Sequence, residues 1–392
     1  MKVVVAPDSF KGTIGAARAA QAIYDGWRSV RPSDEVILRP MADGGEGTLA
    51  AVEAAVPGSR RMPVMVDGPD GARHCASWLL LPASLLTPAG GAVVERGETS
   101  GIELIGDRRL PGRADTLGFG QAIAAALDYG VSQLMVAIGS SASTDGGVGL
   151  LTALGAHFTD GEGAPIGPGA DGLATVHSVD ISTLRRPPPG GVAVLTDVRN
   201  PLLGPNGAAA VFGPQKGLNT SGIARAEHAL RRLASLLNAN PDAPGAGAGG
   251  GTGFGLLAWG ATLQPGAAQI AQLIGLGESL ACASLVITGE GSFDGQSTKG
   301  KVPSLVLASA AEAQVPVALV AGRILPDANV EPFLFSLSLS ELAGSRAEAI
   351  REPARWLQAS GASLARSLGA ATRGGATRHP LSDASPPSIG AL

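Results

Sequence analysis

Five short segments of the chain place a carboxylate beside a glycine or a hydroxyl, each directly after a β-rich apolar run. They are Asp8-Ser9-Phe10-Lys11-Gly12-Thr13, Asp43-Gly44-Gly45-Glu46-Gly47-Thr48, Gly139-Ser140-Ser141-Ala142-Ser143-Thr144-Asp145-Gly146-Gly147, Thr196-Asp197-Val198-Arg199-Asn200-Pro201 and Thr288-Gly289-Glu290-Gly291-Ser292-Phe293-Asp294. Any one of them is ordinary turn and helix-cap chemistry, because Asp, Gly and Ser dominate such positions. Five at five strand ends point to a shared task. Carboxylates held near one another repel unless a cation offsets them. Mg2+ carried on nucleotide phosphates is the usual cation of that kind.

Glycine and lysine sharpen the reading. The 57 glycines cluster in loops that follow strands, and no solenoid-type repeat accounts for them. A glycine-rich turn entering a helix offers backbone N–H groups and the positive end of the helix dipole to a phosphate. Segments 139–147, 244–253 and 289–300 have that form, with Gly139, Ser140, Ser141, Asp145, Gly245, Gly247, Gly249 and Gly250 as candidate nucleotide-binding positions. Among 29 basic residues only five are lysines: Lys2, Lys11, Lys216, Lys299 and Lys301. Four of these lie in or beside glycine-rich loops, where a compact ammonium approaches a phosphate as arginine cannot. Lys216, in Phe212-Gly213-Pro214-Gln215-Lys216-Gly217, is a further candidate cationic contact for the nucleotide.

Other chemistries find little support. Gly295–Val302 matches GxxxxGK, but Val302 replaces the Ser/Thr that ligates Mg2+ in a P-loop. No dinucleotide GxGxxG fingerprint occurs at Asp43–Gly47. The five histidines are scattered outside the loops, and Cys75 and Cys282 are isolated, so a zinc site or disulfide framework is not expected. A net charge of -4 without a basic block disfavours nucleic acid. No window approaches a membrane span, and the N-terminal apolar run is too short for a signal peptide, so a cytoplasmic protein is expected.

The elements that must position these loops alternate between strand and helix, which indicates parallel sheets covered by helices. Strands are expected at 2–6, 35–40, 133–138, 192–195, 285–288 and 317–320. Helices are expected at 13–30, 48–56, 117–129, 147–154, 223–237 and 302–313, with a long helical region over 340–371. Segments 62–66 and 74–81 read as a hairpin around Gly68-Pro69-Asp70-Gly71. The Gly/Pro/Ala-rich stretch 238–251 reads as a linker or, more sharply, as a phosphate loop. From Thr372 the composition reads as a disordered tail. With 45% hydrophobic and 16% charged residues, a chain of 392 residues can bury two domain cores.

Taken in order, segments 6–12, 42–48, 145–147, 197–204, 212–217, 244–251, 287–294 and 300–303 resemble the bacterial two-domain glycerate kinase family over nearly the whole chain. The resemblance implies two Rossmann-like three-layer α/β/α domains with the active site in the cleft between them. The first would be discontinuous, residues 1–100 plus 275–371, and the second would be inserted at 101–274. It implies ATP-dependent phosphorylation of D-glycerate, with 2-phosphoglycerate favoured. Lys11, Asp43, Asp197 and Asp294 would be catalytic, and Asp197 and Glu290 would hold Mg2+. Asp8, Ser9, Lys11, Glu46 and Lys301 would bind the substrate, and the glycine segments would cradle ATP. A homodimer is compatible with this reading. The chain departs from the family pattern at Ser140, Ser143, Thr144, Glu98, Thr99 and Ser292.

Two alternatives belong to other classes. A catalytically silent organic-acid sensor would bind glycerate without turnover. A phosphatase acting on small phosphorylated acids would use Asp197 as nucleophile, but Asp197-Val198-Arg199 lacks the second acid.

Overall fold

A computed structural model describes residues 1–295 and 301–371. Its strands, in chain order, begin with β1 (Lys2–Pro7), β2 (Glu35–Leu38), β3 (Arg60–Asp67), β4 (Arg73–Leu80), β5 (Gly91–Glu95), β6 (Gln133–Ala137) and β7 (His157–Thr159). They continue with β8 (Ser178–Asp180), β9 (Val192–Leu195), β10 (Thr262–Gln264), β11 (Leu285–Glu290), β12 (Val317–Ala321) and β13 (Phe335–Ser338). The chain divides into two compact units. The first holds Met1–Ala42, Ala50–Ala55 and the described residues from Ala271 onward. The second holds Asp43–Leu49 and Val56–Ile270.

The first unit has an all-parallel sheet in the order β13-β12-β11-β1-β2. Parallel sheets are covered on both faces and so read as continuous apolar runs; Val3, Val4, Val5, Leu285, Val286 and Ile287 are all fully buried. The helix Ala16–Val30 presents Ala16, Ala20, Ile23 and Trp27 to the core. It packs against the helix Pro353–Ala371, and glycines set how closely. A Cβ on Gly26 would lie 1.9 Å from the Gln358 carbonyl oxygen, and one on Gly361 would lie 2.2 Å from that of Ile23.

The second unit's sheet runs β10-β9-β6-β5-β4-β3. It is parallel from β10 to β5 and antiparallel through the β3–β4 hairpin, whose turn is Gly68–Gly71. Residues 56–100, expected with the N-terminal domain, lie here because β5 pairs with β6 and carries β4 and β3 with it. The helix Thr220–Leu236 starts on Asn219, whose side chain accepts the Gly222 N–H, and buries Ala226, Leu230 and Leu233.

Three local expectations change. The first helix begins at Ala16, because Phe10 and Ile14 form an isolated bridge. Region 340–371 is broken into Leu339–Leu342, Arg346–Arg351 and Pro353–Ala371, since Gly344 takes φ +75°, Ser345 caps a new helix and Pro353 opens the next. Stretch 238–251 is no linker, because Gly245, Ala246, Gly247 and Ala248 are buried. The expected tail at 372–392 and most of the GxxxxGK match lie outside the described residues. No described helix is long and apolar enough to cross a membrane.

The close approach of the two helices at Gly26 and Gly361 gives a test of the packing. Alanine is the better helix former, yet G361A is expected to lower stability by about 1–3 kcal/mol through overpacking, read as a lower urea midpoint.

Candidate active site

Parallel strands deliver their following loops to one sheet edge, so each unit gathers chemistry at the C-terminal ends of its central strands. In the second unit these are β5, β6 and β9. Glu95 ends β5, and its buried carboxylate accepts the N–H groups of Gly47 (2.9 Å) and Leu49 (2.8 Å). It thereby ties down the Asp43–Thr48 loop, and burial pushes its carboxyl up to about 7. The Gly139 N–H donates to the Gly44 carbonyl at 3.0 Å, and a Cβ on Gly139 would lie 2.5 Å from the Gly45 Cα. Only glycines allow these two loops to touch.

Asp43 and Asp197 come together beside that contact. Asp197 accepts the Gly266 N–H at 2.9 Å. Its carboxylate is solvent-accessible, but the packed loop around it removes enough water, and Asp43 adds enough repulsion, to lift its pKa to about 6. Glu46, also exposed, lies on the same loop.

Beneath the glycine segments lies a buried charge cluster. Asp145, 1% exposed, accepts from the Thr116 N–H (2.9 Å) and hydroxyl (2.6 Å), the Ser143 hydroxyl (2.8 Å) and the N–H groups of Gly147 and Gly149. Arg96, fully buried, donates to the Gly249 carbonyl (2.6 Å), the Thr252 hydroxyl (3.0 Å) and the Ser143 hydroxyl (2.8 Å). Lys216 donates to the Ser141 hydroxyl (2.8 Å) and the Ser143 carbonyl (2.5 Å). Burial holds Arg96 down to about 10, partly offset by Asp145. Burial, reinforced by Arg96, holds Lys216 well below the ordinary lysine range. The loops above this cluster are bent accordingly. Gly249, Gly250 and Gly251 have φ of +64°, +71° and +88°, and Ser140 carries φ +54°, a conformation rare outside glycine. Among the described residues, no acceptor is paired with the N–H of Gly249 or Gly250.

This geometry revises two sequence expectations. Asp145 faces inward and caps the following turn, so the starting N–H groups of segment 147–149 are occupied by the chain itself. Lys216 sits under Gly250, where a Cβ would fall 2.7 Å from its Nζ. Both hold the loop from below.

In the first unit the edge is built by β1, β11 and β12. The Asp8 N–H donates to the Gly289 carbonyl, and the Ser9 N–H donates to the Asp8 carboxylate at 2.6 Å. A Cβ on Gly291 would lie 3.2 Å from the Lys11 backbone nitrogen, so the loops after β1 and β11 touch, with Lys11 exposed. Lys301 Nζ lies 3.8 Å from Glu290 and 3.9 Å from Asp294. Ser292 accepts from Arg323 Nε at 2.9 Å. Glu290 and Asp197, expected to share Mg2+, belong to different units. Among the described residues, no three His, Cys, Asp or Glu side chains gather as a preformed metal cage. Cys75 and Cys282 are free and exposed.

Sequence reasoning missed Glu95, Arg96, Thr116 and Arg323. The first two carry the signal used elsewhere: Gly91-Ala92-Val93-Val94 is an apolar run ending in charged residues.

Comparison with known proteins agrees with the fold and gives the class, an α/β phosphotransferase. The model of the glycerate kinase family matches residues 3–369, and the chain belongs to that family. A glycerate 2-kinase of Escherichia coli (strain K12) is 39% identical over 338 residues, covering 84% of this chain and 87% of the relative. A glycerate kinase of Bacillus subtilis (strain 168) is 39% identical over 337 residues, with the same coverage. A crystal structure assigned as glycerate kinase 2 from Salmonella typhimurium LT2 superposes with a TM-score of 0.81 at 36% identity, covering 95% of this chain and 99% of that one.

Removing one member of the buried cluster should be costly, because uncompensated charge stays behind. D145A is expected to lower stability by about 3–5 kcal/mol, whereas substituting exposed Glu46 should change it by about 0.5 kcal/mol or less. Chemical denaturation of the two variants checks the contrast.

Proposed function

We propose that the chain transfers the γ-phosphoryl group of ATP to a hydroxyl of D-glycerate, with 2-phosphoglycerate as the product. The observation that carries the nucleotide half is the Gly249–Gly251 segment. The N–H groups of Gly249 and Gly250 have no acceptor among the described residues, and both glycines abut basic side chains: a Cβ on Gly249 would fall 2.4 Å from an Arg96 terminal nitrogen, and one on Gly250 would fall 2.7 Å from Lys216 Nζ. Unpaired backbone donors beside basic side chains favour a polyanion. The relatives named as glycerate kinases support the acid as acceptor, and the one named glycerate 2-kinase supports the 2-hydroxyl.

Phosphoryl transfer needs positioning and neutralisation of charge more than covalent chemistry. The hydroxyl oxygen forms the new P–O bond, the bond to ADP breaks, and the hydroxyl proton passes to a carboxylate. Asp43 and Asp197 fit both that task and Mg2+, since they are hard oxygen donors that repel each other. Mg2+ would supply neutralisation of the phosphate oxygens, with Asp197 and Asp43 holding it. Lys11 and Lys301 would face the acid or the transferring group, with Asp294 beside Lys301. The reaction is placed in the cytoplasm, where ATP is made.

³¹P NMR of the protein with ATP, Mg2+ and D-glycerate tests the reading. A new phosphomonoester signal growing with ADP is expected, coupled to one proton for the 2-product and two for the 3-product. Unchanged ATP in the presence of folded protein would refute the kinase reading.

The pH profile tests the carboxylate pair. A carboxyl raised to about 6 is protonated below that pH, so kcat/KM should fall on the acid side near pH 6. Removing the negative charge of Asp43 stabilises ionised Asp197, so D43N should move that limb to lower pH. An unmoved limb would assign it to another group.

A further inference from the structure

The sheet edge of the first unit carries a guanidinium that the reaction described above does not use. Gly322 follows β12 directly, and a Cβ there would fall 2.4 Å from the Gly291 carbonyl oxygen. The Gly322 N–H donates to the Glu290 carbonyl at 2.9 Å, the Phe293 N–H to the Arg323 carbonyl at 3.0 Å, and the Leu325 N–H to the Phe293 carbonyl at 2.9 Å. Backbone bonds therefore zip the loop after β12 to the loop after β11 and fix Arg323 in place. Its Nε donates to the Ser292 hydroxyl. Ser292 lies between Glu290 and Asp294, whose carboxylates flank Lys301, and Gly291 abuts the Lys11 backbone.

A half-buried arginine held at Nε keeps both terminal nitrogens for another partner. Among the described residues, no acceptor is paired with them. Their planar fork matches the two oxygens of a carboxylate, whereas the compact ammonium groups of Lys11 and Lys301 suit a phosphoryl group as point charges. We propose that Arg323 is a substrate-binding residue that receives the carboxylate of the acid acceptor, with Ser292 fixing the orientation of its fork. The assignment rests on the glycerate kinase reading given above and adds the group that distinguishes a hydroxy acid from a neutral polyol.

Steady-state kinetics with wild type, R323K, R323Q and the exchange variant S292R/R323S test it. R323Q should raise KM for D-glycerate by about 10- to 100-fold, the worth of charge-assisted hydrogen bonds, with KM for ATP within about twofold. It should also narrow the preference for D-glycerate over glycerol. R323K should recover part of the loss, and the exchange variant should recover more, because it returns a guanidinium to a position one hydrogen bond away. A wild-type KM for D-glycerate in R323Q overturns the proposal, as does an equal rise in both KM values. If the wild type forms no phosphoglycerate, the kinase reading is what fails. Calorimetric titration of D-glycerate into wild type and R323Q then decides the binding role, and equal affinities or no binding by either would overturn it.

Discussion

The second unit depends on a cluster of buried ionisable side chains, joined through Ser143, that water does not reach. Asp145 gathers five donors, while Arg96 and Lys216 reach in from separate elements to Ser143 and to the glycine segment beyond it. Buried charges add little net stability over apolar packing, but breaking such a group is expensive. Its consequence here is geometric. Ser140 lies at positive φ and three successive glycines lie in the left-handed region, beside the backbone that Arg96 and Lys216 hold. A loop with so much glycine would otherwise be the most mobile part of the unit.

The same economy recurs at both sheet edges. Each unit places a central parallel strand so that its last residue is a carboxylate, Glu95 on β5 and Glu290 on β11. Each carboxylate is engaged at once. Glu95 takes two backbone N–H groups and organises the loop bearing Asp43, and Glu290 faces Lys301. Glu95 thus fixes the loop that carries the exposed Asp43. The departures from the family pattern fall into this frame. Ser143 links Arg96 to Asp145, Glu98 pairs with Arg61, and Ser292 receives Arg323.

Much of this was legible in the sequence because parallel strands are short, continuously apolar and followed by glycine. The strand at Val192–Leu195 and the helix at Leu117–Tyr129 fall where periodicity places them. Segment 60–80 was legible as a hairpin but not as part of the second unit, since its partner β5 is joined by hydrogen bonds that no local pattern records. Asp145 looked like a ligand-facing acid because a glycine-rich loop reads the same whichever side its carboxylate takes. Lys216 stands out in the sequence as one of five lysines, but its scarcity as a residue type says nothing of depth. Arg96 was overlooked because the chain is rich in arginine, and only burial separates this one from the rest.

On the reading proposed above, the buried cluster shapes the Gly249–Gly251 segment to receive nucleotide phosphate. Amide hydrogen exchange of the full chain, with and without ATP and Mg2+, tests it most directly. Slowed exchange concentrated in 139–145 and 247–252 is the expected result. Nucleotide binding that leaves those amides exchanging at their free rate, with protection elsewhere, would contradict it.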